Sequence, residues 1–330
     1  SKQNIRTNRG FLNFFFHILP HVIQAPIWLI DYLLANWSLK GVGVEAWRKT
    51  TATLTFVSYL VNLEPESAKK GQYESRYWTT LTDLLRDKHY SSNWLHIYVE
   101  DGLLPSSKKA RNLLHRFNSS QNGEQVHVTL GSFLSIPLIF LTLKDWYTVL
   151  KLNKLVWKQL KSHSGYLWPL YKKDCQDSMS GIHAIKNLLY YNLFKKAMND
   201  LPIQSRGCYL HENQGWEFGF ISAWKKSGHK ENLIGFAHTS ISYWDIRYFF
   251  DSRNYSFNRK YDLPIPDYIA VNGKAGKNMY LSGGFPKERL IELESLRYLY
   301  LHNYSSKAKK VVRASTKKKI VLIVSDFLEE

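Results

Sequence analysis

From Gly207 to Gln214 the chain reads GCYLHENQ, an apolar run that ends in an imidazole, a carboxylate and two amides. A carboxylate at the end of a buried strand is partly desolvated, the setting that tunes a general base or a nucleophile. Glu212 is therefore the first candidate for chemistry. Three further runs end alike. Residues 232–237 lead into His238, Thr239 and Ser240, residues 268–271 into Asn272, and residues 290–293 into Glu294, Ser295 and Arg297. In open parallel sheets ligands bind beyond the carboxyl ends of the strands, so these groups would share one edge.

Each candidate has a structural role to set against the chemical one. Asn213 or Gln214 can open the helix that carries Trp216, and Ser295 the next one; free of that duty, Asn213 and Gln214 would bind substrate. Glu217, a few residues further on, either faces the site or favours the positive end of its helix. His238 is a second catalytic candidate, against the commoner structural histidine. In YWDIR, Asp245 and Arg247 either pair with each other or face the site. Facing it, Asp245 would be a second catalytic carboxylate, and Arg247 a cation for a phosphate or a sugar carboxylate. Asn272, Glu294 and Arg297 complete the substrate-binding candidates. No P-loop, dinucleotide fingerprint, HExxH or GxSxG motif occurs, and no spacing of His, Cys and carboxylates suits a metal.

The elements that must position these residues alternate. Strands are expected at 54–60, 94–99, 125–129, 207–211, 232–237, 268–271 and 290–293, with helices at 77–88, 106–117, 132–161, 179–199, 216–226 and 273–282. This alternation predicts an α/β fold with a Rossmann-like parallel sheet and flanking helices. Residues 304–319 are Ser- and Lys-rich like a linker, and KIVLIVS (319–325) reads as a further strand.

Two segments suggest a membrane surface. Residues 11–37 are strongly apolar, but Asp31, two His residues and Pro20 and Pro26 interrupt them, which a spanning helix tolerates poorly. With Lys2, Arg6 and Arg9 ahead of it, the segment reads as an interfacial helix pair or as an arm packed on the protein. Residues 132–161 carry lysines at 144, 151, 154, 158 and 161, either a solvated face or a second membrane contact. The net charge is +18 across 330 residues, which favours phosphate-bearing partners. Without a nucleic-acid motif, nucleic acid is not the expected partner. The only two cysteines, Cys175 and Cys208, point to a reducing compartment.

The segments HENQGWEFGFISAW, LIGFAHTSISYWDIRYF and LPIPDYIAVNGKAGKNMYLSGGFPKERLIELESLRYLYL resemble bacterial surface-carbohydrate (O-antigen type) biosynthesis proteins. RGFLNFFFHILPH and TFVSYLVNL with GQYESRYW extend the resemblance over nearly the whole chain. The resemblance implies a glycosyltransferase of the two-Rossmann GT-B type, acting in lipopolysaccharide-type synthesis at the inner face of the cytoplasmic membrane. Its donor would be a nucleotide-activated sugar, its acceptor a glycan or a lipid-linked glycan, and no cofactor or metal is implied. Some related transferases use CMP-linked ulosonic acids such as Kdo and retain configuration through a carboxylate nucleophile. By position that carboxylate would be Glu212 or Asp245. On this reading residues 1–50 form a helical arm that can touch a membrane, residues 51–303 the acceptor-side domain, and residues 304–330 a linker and the first strand of a C-terminal domain cut short. Two other readings are a non-catalytic membrane-associated binding module and a polyol-phosphate (CDP-glycerol type) transferase.

Overall fold

Seven strands lie side by side, every neighbouring pair parallel, in the order β3-β2-β1-β4-β5-β6-β7. They are β1 (Leu54–Leu60), β2 (Ser92–Tyr98), β3 (Gln125–Thr129), β4 (Arg206–His211), β5 (Leu233–Ala237), β6 (Tyr268–Asn272) and β7 (Leu290–Leu293). The structure is a computed structural model that describes residues 19–120, 124–237, 246–248, 252–255, 263–293 and 296. The strand expected at 319–325 and the linker expected before it lie outside the described residues.

Most strands read as largely apolar runs because helices cover both faces of the sheet, although β2 and β3 bury His96 and His127 and the end of β7 is exposed. Side chains alternate between the faces along each strand. Val57, Leu95, Val128 and Tyr209 point into one core layer, Phe56, Trp94, Cys208 and Leu210 into the other. The helices are α1 (His21–Asn36), α2 (Val44–Lys49), α3 (Pro65–Lys69), α4 (Thr80–Asp87), α5 (Ser107–Ser120), α6 (Ile136–Ser164), α7 (Trp168–Ser180), α8 (Ile182–Asp200), α9 (Gly215–Lys226) and α10 (Gly273–Ser282). The first layer is filled by α1, α8 and α9 and the start of α6; the second holds α5 and the fully buried Trp78.

Three expectations change. The segment 77–88 becomes helical only at Thr80, because Thr79 sits at φ +42° while Trp78 turns inward to donate to Ser58 Oγ at 2.8 Å. The long helix expected from 132 begins instead at Ile136, with Pro137 in its first turn, after a 3-10 turn over Leu130–Phe133. The helix expected over 179–199 begins at Ile182, and α7 precedes it unforeseen. The break falls at Gly181, where a Cβ would lie 2.1 Å from Asp177 Oδ1. No side chain of α7 is buried, so it lacks the apolar stripe that would mark it as a core helix.

In the apolar N-terminal segment, the described part forms α1 with Pro26 inside it. Its Ala25, Trp28 and Leu29 belong to the first core layer, while Ile30 and Leu34 face outward. Among the described residues no helix is long and apolar enough to cross a membrane.

Candidate functional site

The chain leaves β1 toward β2 and β4 toward β5, so the sheet order reverses between β1 and β4. In open α/β sheets the diverging connections at such a reversal form a ligand-binding crevice beyond the carboxyl ends of the two strands. At both ends an asparagine takes a left-handed conformation, Asn62 at φ +54° and Asn213 at φ +54°. Asparagine is among the few residues that tolerate this, and it turns the chain sharply out of the strand.

Glu212 follows β4 at this crevice. Tyr59 Oη donates to Glu212 Oε2 at 3.3 Å and accepts from Trp216 Nε1 at 2.9 Å. Burial, then the Glu212 charge, push the Tyr59 phenol well up, so it remains a protonated donor. Tyr77 tilts against Tyr59 at 6.3 Å between ring centroids, and its hydroxyl accepts from Asn62 Nδ2 at 3.0 Å. The Asn62 N–H in turn donates to Asp101 Oδ2 at 3.3 Å. Asp101 Oδ1 takes the N–H groups of Leu103 and Leu104, which fixes the turn after β2. Glu212 thus stands on the α9 side of the reversal, and Tyr59 of β1 with Tyr77, Asn62 and Asp101 on the other.

Glu217 holds the turn that presents Glu212. Its Oε1 accepts the N–H groups of Glu212 and Gln214, each at 2.8 Å, and its Oε2 lies 2.8 Å from His211 Nδ1. His211 and Glu217 are both 2% exposed. A carboxylate that already accepts two backbone N–H groups offers only lone pairs, so the proton between it and the imidazole is carried by Nδ1. Tyr209 Oη stands 3.1 Å from the same Nδ1 and hems it in. Glu217 closes the first turn of α9 and holds the backbone that carries Glu212.

His211 Nε2 is buried and lacks a hydrogen-bond partner among the described residues, while the buried Asn213 amide reaches the Tyr280 hydroxyl. All three residues line one cavity, closed on its other sides by Phe218, Ile265 and Phe285. The cavity offers about 20 Å³ to the centre of a water-sized sphere, enough for one hydroxyl-sized group. Burial pushes the Tyr280 phenol well up, with the neighbouring Tyr248 phenol and the Glu217 carboxylate adding to it and the Asn213 hydrogen bond opposing it. Pro266, which also lines the cavity, gives its carbonyl to Arg289, whose Nε donates to Asp267 O at 2.8 Å.

The structure gathers four of the candidates, Glu212, Asn213, Gln214 and Glu217, within one turn at the β4–α9 junction. Asn272 stands apart, half-buried two strands away at the end of β6, where it precedes α10. Arg247 is exposed on a 3-10 turn between β5 and β6. His238, Asp245, Glu294 and Arg297 lie outside the described residues. Sequence reasoning missed Tyr59, Tyr77, Asn62 and Asp101, and it treated His211 as a mere strand end. The signal for Asn62 was available: like Asn213, it follows an apolar run that ends in a parallel strand. Among the described residues no group of three His, Cys, Asp or Glu could hold a metal ion.

A parallel sheet covered on both faces, with its reversal crevice between β1 and β4, defines a Rossmann-like α/β domain, an architecture shared by many nucleotide-binding enzymes. Comparison with protein-family models, curated proteins and solved structures finds no match.

Proposed function

We propose that this chain is a glycosyltransferase of bacterial cell-surface polysaccharide synthesis and supplies the acceptor-side Rossmann-like domain of a GT-B enzyme. It transfers a sugar from a nucleotide-activated donor to a glycan or lipid-linked acceptor at the inner face of the cytoplasmic membrane. The observation that supports this best is the placement of Glu212, a carboxylate at the reversal crevice, hydrogen-bonded by a protonated Tyr59 and presented by the buried Glu217–His211 pair.

Glu212 takes the proton from the acceptor hydroxyl as that oxygen bonds to the anomeric carbon, and the nucleotide phosphate leaves with the electron pair of the broken bond. Tyr59 holds the carboxylate in place, and its tilted neighbour Tyr77 offers an aromatic face for a sugar ring. The test is a donor screen on the full-length protein with CMP-, UDP- and GDP-sugars and CDP-glycerol. CMP-linked ulosonic acids come first because the resemblance favours them. Glu212→Gln keeps the side chain's size, and its expected effect is a loss of turnover of at least about 100-fold. Undiminished turnover removes Glu212 from the chemistry, and turnover of CDP-glycerol alone replaces sugar transfer by polyol-phosphate transfer.

A further inference from the structure

Half of the large hydrophobic side chains exposed among the described residues lie between Ile136 and Tyr171, on α6, α7 and the turn that joins them. Beyond Thr142 no side chain of α6 or α7 is buried. The two helices pack on each other, with Trp157 and Trp168 edge to face at 5.9 Å. The turn between them and the start of α7 are apolar and open: Tyr166 in the turn is 89% exposed and Leu170 in the first turn of α7 72%. Isolated exposed apolar residues are ordinary, whereas a cluster of this density marks a contact surface.

Charge says what the surface meets. Ile136, Phe140 and Tyr147 recur at helical spacing with Lys144, Lys151, Lys154 and Lys158, all exposed. At 3.6 residues per turn these seven share about one quarter of the circumference of α6. Lys151 lies over the Tyr147 ring at 4.5 Å, an apolar stem against an aromatic with the ammonium outermost. From 136 to 180 the chain has seven lysines against three aspartates, and two of those, Asp145 and Asp177, are engaged with Asn192 and His183. Apolar side chains beneath a lysine stripe, beside an apolar turn, suit an anionic bilayer surface.

We propose that the α6–α7 hairpin docks the protein on an anionic lipid bilayer, with its turn in the headgroup region and the lysine stripe of α6 against the surface. This deepens the membrane-face placement proposed above, and vesicle binding reads it without a transfer assay, so either can fail alone. The experiment is flotation of the full chain with vesicles of phosphatidylcholine, with and without phosphatidylglycerol, alongside sedimentation velocity in the absence of lipid. Binding to the anionic vesicles only is expected, weakening as salt rises. Reversing Lys144, Lys151, Lys154 and Lys158 to Glu is expected to lower it at least about 100-fold. Tyr166→Ser with Leu170→Ser is expected to weaken binding without changing the sedimentation coefficient. Since every altered side chain is exposed, the variants fold as the parent does. No binding, equal binding to neutral vesicles, or undiminished binding by the charge-reversed chain overturns the proposal. So does a tip variant that turns an oligomer into a monomer and leaves lipid binding intact, which assigns the surface to a second copy of the chain.

Discussion

Replacing Glu217 tests whether one buried carboxylate organises the candidate site. It accepts three hydrogen bonds, from His211 Nδ1, Glu212 N and Gln214 N, all at 2.8 Å. A hydrogen bond to a charged group contributes about 1.5–3 kcal/mol net, and donors left buried without a partner cost about as much. The three share one acceptor, so they do not add fully. Glu217→Ala should therefore cost about 4 kcal/mol. At roughly 2–4 °C per kcal/mol for a domain of this size, the melting temperature should drop by about 8–16 °C. Glu217→Gln is milder, because its carbonyl can still take both backbone N–H groups, and about 1 kcal/mol is expected. Its amide then faces His211 and donates, so the imidazole must accept at Nδ1 and move its proton to Nε2. The assay pairs thermal unfolding with nitrogen NMR of the His211 ring. Wild type should show Nδ1 protonated, and Glu217→Gln the other tautomer. An alanine variant that melts within about 2 °C of wild type would refute the stability reasoning. An unchanged tautomer in Glu217→Gln would refute the proton assignment.

The remaining predictions concern the core. His96 and His127 are fully buried and stacked, with His96 Nε2 3.1 Å from His127 Nδ1. Burial lowers the His96 pKa to about 3 and holds that of His127 well below the usual histidine value, so both fold neutral. Between about pH 6.5 and the folded values the unfolded chain binds more protons, so stability is complete above that window and falls as pH drops through it. The expected slope is about 1.4 kcal/mol per pH unit for each histidine. Denaturant titrations from pH 7 to 4 check it, and His96→Gln should flatten the slope. Gly207→Ala would place a Cβ 2.6 Å from Trp224 Cη2 and 2.8 Å from Leu233 Cδ1, where β4 meets α9. A cost of about 1–3 kcal/mol is expected from overpacking, read as a lower denaturation midpoint with an unchanged slope.

All seven strands were legible in the sequence because burial on both faces leaves most of them as largely apolar runs, the buried His96 and His127 being exceptions. The pattern GCYLHENQ placed Glu212 at a strand end for the same reason, since polarity returns only where the sheet stops. Local chemistry also anticipated α9, whose opening residues Gln214 and Glu217 carry a cap signature. What the sequence could not supply was the company Glu212 keeps. Tyr59 precedes it by 153 residues, and the two meet only because β1 and β4 are neighbours in the sheet. That adjacency is a property of strand order, which no local period encodes. The roles of Glu217 and His211 were equally undecidable along the chain, because a helix-opening glutamate looks the same whether its carboxylate meets solvent or an imidazole. Only the tertiary fold buries that pair and fixes its proton. The α6–α7 hairpin shows the converse: its lysine spacing was plain, but only the fold shows that its apolar side chains have no core to cover.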